Sequence, residues 1–408
     1  MKAATCVADI TPQTPVYLAG YVGEARKHPA QGVHDAPLAV SLLLETESTC
    51  VLFLSIDTLA ISGEKATVIR KRIHEVMDIE DDHIIINGIH SHSLPNAFMG
   101  EELFGTPDCP QYFVAAVDQI IMSITTLSER LVDVDASIGT GKIHGFYSKR
   151  SDIHAPFEDN AAIVKFTHND QVVAAMCNFN CHATVLGPQN MLITSDIIGE
   201  VRHRLSEDLG VIPYTFTGAS GDISNRQYRQ GNDFDELARV GAGIHDLFVN
   251  IRHYEPTSLN NISIQTYDHH IAYDNRSYYD EYKQDIAEAE AILAKSDLPV
   301  DEWKLRTSEK MALENKLKME TVDFHVRGIV LQCDDFTIVT FPGELASKFG
   351  LELRNRCQRK HFLLIGYTDG YQGYFIEAEE YGRTYETKAS NTPKGESERI
   401  VSEIGDFL

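Results

Sequence analysis

Short apolar runs alternate with stretches of helical period along the first 250 or so residues. Val51-Leu-Phe-Leu-Ser-Ile56 is short and continuously apolar, which predicts a buried strand, and the apolar positions of residues 65–77 recur three and four apart, which predicts a helix after it. His83-Ile-Ile-Ile-Asn87 predicts a second strand, and residues 112–131 carry helical periodicity again. Residues 161–166 and 172–178 flank His168-Asn-Asp170, the composition of a hairpin turn. A helix from about Asp196 to Leu209 is closed by Gly210, suited to the left-handed position after a helix end. Apolar runs interleaved with amphipathic helices predict an α/β fold of layered mixed β-sheets flanked by helices.

Residues 279–295 and 301–317 break this rhythm. They are rich in Ala, Glu and Lys, too poor in apolar positions for a core of their own, and separated by Asp297-Leu-Pro299. They read as a helical hairpin, charged on its outer faces and inserted at 279–317 as an attachment or lid. Strand-like sequence resumes at 324–332 and 336–341. A length of 408 residues, at roughly 150 residues per domain, allows two or three domains. No Pro/Gly/Ser linker divides the chain, so the expectation is one large domain over 1–408 carrying the hairpin.

Charge narrows the partners. Lys and Arg number 36 against 60 Asp and Glu, a net charge of −24. That balance speaks against binding to nucleic acid, which needs clustered cations. The seven cysteines form no CxxC, and Cys177 and Cys181 lie near an apolar run, the setting of buried thiols. The N-terminal MKAATCVADITPQTP lacks the apolar core of a signal peptide. Apolar runs stay far below the ~20 residues that span a bilayer, so a cytoplasmic location without stable membrane association is expected.

Four places carry candidate chemistry. His90-Ser-His92 follows the 83–87 strand; residues two apart on a strand point to one side, so both imidazoles would converge at its open end. The plain alternative is two loop histidines in a chain with 17. His182, in Asn178-Phe-Asn-Cys-His182, again follows a strand, where a satisfied core histidine is the commoner case. Thr217-Gly-Ala-Ser-Gly-Asp-Ile-Ser-Asn225 makes a tight turn of small residues without the Lys of a phosphate loop. Phe341-Pro-Gly-Glu344 places a carboxylate after a strand, where it would equally serve as a helix N-terminal acid. Five tyrosines between Tyr367 and Tyr385 are by themselves compatible with packing.

Their order along the chain is more specific than any one of them. His90, His92, His182, Gly221-Asp-Ile-Ser224, Pro342-Gly-Glu344 and the tyrosine-rich tail together resemble the neutral ceramidase family of zinc amidases. The resemblance begins at Ala8-Asp-Ile-Thr-Pro12, continues through Gly32-Val-His-Asp35 and reaches Tyr385-Glu386. It implies a single zinc ion held by His90, His182, Glu344 and Tyr374, the tyrosine chosen because it precedes Glu379-Glu-Tyr381. Two imidazoles, a carboxylate and a phenolate suit a cation that takes N and O donors. The implied reaction is hydrolysis of a C–N (amide) bond of a small-molecule N-acyl substrate by metal-activated water, with His92 as general acid/base. Arg150 and Tyr385 would donate hydrogen bonds to the oxyanion. Ser224 matches the serine of the family's Gly-Asp-Val-Ser-Pro-Asn motif and is a second nucleophile candidate. Metal-activated water is preferred, because no Gly-x-Ser-x-Gly elbow surrounds Ser224.

Several positions depart from the family pattern. Leu94-Pro-Asn96 replaces a Gly/Pro loop, Asn225 replaces a proline, and Lys149 replaces an asparagine. With the sequence ending at Leu408, the expectation is a protein without the immunoglobulin-like C-terminal domain of true ceramidases. With a charge of −24, repulsion from anionic headgroups argues for a relative acting on a non-membrane substrate. The alternatives are a non-catalytic, metal-stabilised binding protein and a zinc esterase acting on a small soluble substrate.

Overall fold

Three strand–helix–strand crossovers set the architecture, each ending in a parallel strand pair. The computed structural model describes residues 1–47 and 49–408. Cys50–Ile56 leads through the helix Gly63–His74 to Ile84–Gly88. Gln171–Phe179 leads through Asp196–Leu209 to Tyr214–Phe216. Phe336–Thr340 leads through Ser347–Arg356 to His361–Ile365. Antiparallel neighbours complete two five-stranded mixed sheets and one four-stranded sheet, so the layered α/β class expected from the sequence is the one observed.

Alternation along the strands assigns the two faces. Val51 and Phe53 face a core shared with Val164, Met176 and Phe216 of the second five-stranded sheet and with Ile338 of the four-stranded one. Leu52, Leu54 and Ile56 face the other way, into a core shared with Ile69 and Ile73 of the first crossover helix. At roughly 1.5–3 kcal/mol for each fully buried large apolar side chain, both layers contribute heavily to stability.

Most predicted elements appear within a few residues of their expected bounds. The 161–178 hairpin is Asn160–His168 paired antiparallel with Gln171–Phe179. Asn169 and Asp170 both adopt positive φ, 49° and 64°, the conformation of a two-residue hairpin turn whose twist matches the strands. The helix expected over 112–131 runs Pro110–Ile124; its periodicity overstates its length because a 3-10 turn, Ser128–Arg130, redirects the chain into the strand Val132–Asp133. All seven cysteines are free thiols, with Cys177 and Cys181 fully buried. Among the described residues, no helix is long and apolar enough to cross a membrane.

The 279–317 segment forms two helices, Tyr279–Leu293 and Val300–Lys316. They project from the end of a ribbon in which Ser263–Asp274 pairs with Thr321–Gln332 along its whole length. Buried Asn275 roots the hairpin: its amide donates to the carbonyls of Lys316 and Met319, and its Oδ1 accepts from Tyr282. Buried Lys316, its amine pushed down to about 8 by burial, donates to the carbonyl of Ser390.

One buried ion pair joins the first two crossovers. Arg202, on Asp196–Leu209, binds both oxygens of Asp57 at 2.7 and 2.6 Å, and Asp57 also accepts from Ser195 Oγ and the amide of Leu38. Asp57→Ala strands a buried guanidinium and is expected to cost about 3–5 kcal/mol, read as a shift of the urea unfolding midpoint; a midpoint within experimental error of wild type would contradict this role.

Candidate active site

The loops at the C-terminal ends of the parallel strands meet at one point. His90 follows Ile84–Gly88, His182 follows Gln171–Phe179, and Glu344 follows Phe336–Thr340. Loop-to-loop backbone contacts fix them: Ser91 bridges Ala183, Asn87 bridges Thr368, and Glu344 pairs with Tyr374. Alternation along a strand is not what brings His90 and His92 together. The strand ends at Gly88, and His90 sits at φ 62°, a strained conformation for a side chain with a Cβ. That kink, held by His90 N–H to the Thr58 carbonyl at 3.0 Å, aims its ring inward.

Each of the three imidazoles spends its Nδ1 on a backbone carbonyl: His90 on Leu59 at 2.9 Å, His92 on Gly20 at 2.7 Å, His182 on Ser220 at 3.3 Å. A carbonyl only accepts, so Nδ1 carries the proton and each Nε2 presents a lone pair. These three lone pairs face one another, His90 Nε2 lying 3.2 Å from His182 Nε2 and 3.3 Å from His92 Nε2. Burial, then neighbouring imidazoles and cationic groups, pushes His182 and His92 well below the usual histidine range. Glu344 Oε2, buried and without a hydrogen-bond partner among the described residues, lies 3.4 Å from His90 Nε2 and 3.7 Å from His182 Nε2.

That donor set fits a metal ion. Ligand bonds of about 2.0–2.1 Å in a tetrahedron put donor atoms about 3.3–3.4 Å apart, close to the spacings seen here. His92 Nε2 keeps the same spacing as the other two nitrogens, so distance alone suits it both to a ligand and to a base. Glu344 is oriented by Tyr371, which donates to its Oε1 at 2.5 Å. Tyr371 and Tyr374 both line the cleft. Burial, then the Glu344 carboxylate, holds both phenols well above their ordinary pKa; a bound cation would reverse that balance.

The other expected residues lie along the same cleft of about 610 Å³. Arg150 is paired with Glu386 Oε1 at 2.5 Å. Tyr385 packs its ring edge-on to Tyr374, centroids 5.9 Å apart. Ser224 Oγ accepts the amide of Arg226 at 3.3 Å, and no hydrogen bond joins it to a histidine among the described residues.

Sequence reasoning missed part of the support. Tyr371 was legible only as one of the clustered tyrosines. Glu386, beside Tyr385 in the motif, carried no assigned role. Arg26 gave no local signal, yet it is buried and donates to the carbonyls of His92, Gly187 and Pro188. Gly20, at φ 96°, accepts from His92 so closely that a Cβ there would meet the imidazole at 2.6 Å. Lys149, the departure beside Arg150, is held by Glu377 and Glu380 at 3.1 Å each.

Residues 3–210 match the family model described as neutral/alkaline non-lysosomal ceramidase, N-terminal. The chain belongs to that family of hydrolases. No curated protein matches the sequence significantly. Among solved structures, neutral ceramidase from Pseudomonas aeruginosa is similar with a TM-score of 0.74 at 16% identity, over 99% of this chain and 73% of that one. A structure of a ceramidase complexed with C2 gives 0.73 at 15% identity, over 99% and 74%. At these identities the likeness establishes the ceramidase fold, and it extends well beyond residue 210.

Arg26→Met removes the donors of three carbonyls around His92 and is expected to destabilise the fold by about 3 kcal/mol or more, measured by urea unfolding. An unchanged midpoint would show that water replaces the guanidinium at no cost.

Proposed function

We propose that this ceramidase-family protein is a zinc-dependent hydrolase cleaving the C–N bond of an N-acyl substrate. The observation that carries the reading is the set of three facing imidazole Nε2 atoms, two of them on buried histidines, beside one buried carboxylate oxygen without a hydrogen-bond partner among the described residues. A cation held between His90, His182 and Glu344 would satisfy their facing donor atoms and leave His92 Nε2 beside it, and N/O donors of this kind suit zinc. His90, His182 and Glu344 would hold the ion, with Tyr374 as the fourth ligand and one zinc per chain. A zinc ion there supplies Lewis acidity and brings the pKa of water down to about 7.

The chain's own residues supply the rest. His92 keeps its proton on Nδ1 through the Gly20 carbonyl, so its Nε2 is free to take a proton from the attacking water and return it to the leaving amine. Arg150 and Tyr385, which line the same cleft, would donate hydrogen bonds to the carbonyl oxygen as charge develops there. The Glu386 carboxylate limits how far the Arg150 guanidinium strays. Ser224 orders the turn that follows it rather than acting as the nucleophile. Leu59 and Leu103 pack beside Tyr371 at one end of the cleft, an apolar surface for the acyl chain.

Purified protein is expected to hold close to one zinc per chain by elemental analysis. His182→Ala is expected to lose it. His92→Ala is expected to keep the metal while kcat/KM toward a short N-acyl amine falls about 10²–10⁴-fold. Metal loss in His92→Ala would make His92 a ligand instead of the base, and the absence of metal from wild type would remove the reading.

A further inference from the structure

Left-handed backbone is carried by few side chains in this fold. Among the described residues, Asn169, Asp170, Asp196 and Asn261 have positive φ and are of the two types that tolerate it. The other non-glycine residues there are His90, Tyr367 and Phe104, at 62°, 55° and 53°. His90 belongs to the imidazole cluster. Tyr367 lies against it, ring centroids 4.2 Å apart, and shares a hydrogen bond with Ser220, whose carbonyl holds His182. The site accounts for both of these strained residues.

Phe104 is the third. With Gly105, at φ 80°, it forms a two-residue turn closed by Leu103 and Thr106, which exchange backbone hydrogen bonds at 3.1 and 2.8 Å. Turns with positive φ at both central residues favour Asn, Asp or Gly, and Asn169 with Asp170 follows that preference in the other hairpin. Here an aromatic ring takes the place of a short polar side chain. Buried Asn96, from the Leu94-Pro-Asn96 departure, clamps both legs of the loop: its amide donates to the carbonyls of Glu101, Thr106 and Pro107 at 3.0, 3.0 and 3.3 Å. A strained residue persists where its surroundings over-determine it in this way.

Core packing does not account for the ring. Leu103 and Tyr371 pack against the small apolar cluster of Ala19, Leu59 and Ala60, but Phe104 joins none of the apolar clusters that the described residues form. It is partly buried and lines the cleft. The neighbouring cluster adjoins the proposed reaction centre, since the Leu59 carbonyl fixes His90 Nδ1 and Tyr371 orients Glu344. Phe104 extends that apolar surface by one residue. A hydrocarbon chain on the scissile carbonyl is the part of an N-acyl substrate that gains from such a surface.

Resting on the amidase reading above, we propose that Phe104 is a specificity-determining residue whose ring packs on the acyl chain and selects longer acyl groups over acetyl. Its strained turn is retained for the ligand rather than for the fold.

The test compares octanoylethanolamine with acetylethanolamine, which differ only in the acyl chain. Wild type is expected to favour the octanoyl substrate. In Phe104→Asn the ratio of octanoyl to acetyl kcat/KM is expected to fall about tenfold or more, chiefly through a higher KM for octanoylethanolamine. Because Asn-Gly is the favoured pair for this turn, the same variant is expected to unfold at a urea concentration equal to or above that of wild type. Phe104→Tyr keeps the ring and is expected to retain most of the ratio. An unchanged ratio in Phe104→Asn, a lowered unfolding midpoint in that variant, or a wild type indifferent to chain length overturns the proposal while the amidase reading stands. Turnover of neither substrate by wild type overturns both.

Discussion

Three imidazoles whose protons are already committed set the terms for the rest of this structure. Once Leu59, Gly20 and Ser220 fix Nδ1–H on His90, His92 and His182, the opposing nitrogens are bare lone pairs in a buried space. Neutral nitrogens held 3.2 and 3.3 Å apart repel, and the carboxylate beside them adds to the demand for positive charge. Such an arrangement persists only if the surrounding backbone is rigid enough to impose it. The buried Arg26 on the carbonyls around His92, the kinked backbone at His90 and the short bridges between loops are the means.

The fold places those loops through its parallel strand pairs. In each crossover the chain leaves the C-terminal end of a strand, where backbone groups no longer have sheet partners and side chains are free to converge. Because all three crossovers open toward the same region, His90 and Glu344, 344 − 90 = 254 positions apart in sequence, reach one cluster. The ion pair of Arg202 with Asp57 locks the second crossover against the first close to where these ends meet. Strand register and site geometry are thus coupled, since a slip of one residue would turn His90 or Glu344 away from the cluster.

The hairpin completes the cleft wall on this frame. It is mounted on a long two-stranded ribbon, with its second helix forming part of the cleft wall. A segment with little apolar content cannot make a core, but it can deliver Lys304, Ser308 and Asn315 to a cavity whose other walls come from the sheets.

Local pattern was enough for most elements and for the histidine and glutamate motifs. Apolar runs and 3.6-residue periodicity located three of the four strands of the first two crossovers, all but Tyr214–Phe216, and the Asp196–Leu209 helix, because burial on fixed faces leaves a periodic trace. His90-Ser-His92, His182 and Pro342-Gly-Glu344 were legible as motifs following strands. The sequence did not reveal that His90 converges with His92 through a left-handed kink, since φ depends on what the neighbouring loops hold in place. Nor did it reveal Arg26 or Tyr371, whose roles lie in hydrogen bonds to residues 66 and 27 positions away. Net charge summed over the chain gave an acidic protein; only the folded arrangement sets Leu103, Phe104 and Tyr371 around one cavity. Composition averages over the whole surface, while recognition depends on the few groups that the tertiary structure gathers in one place.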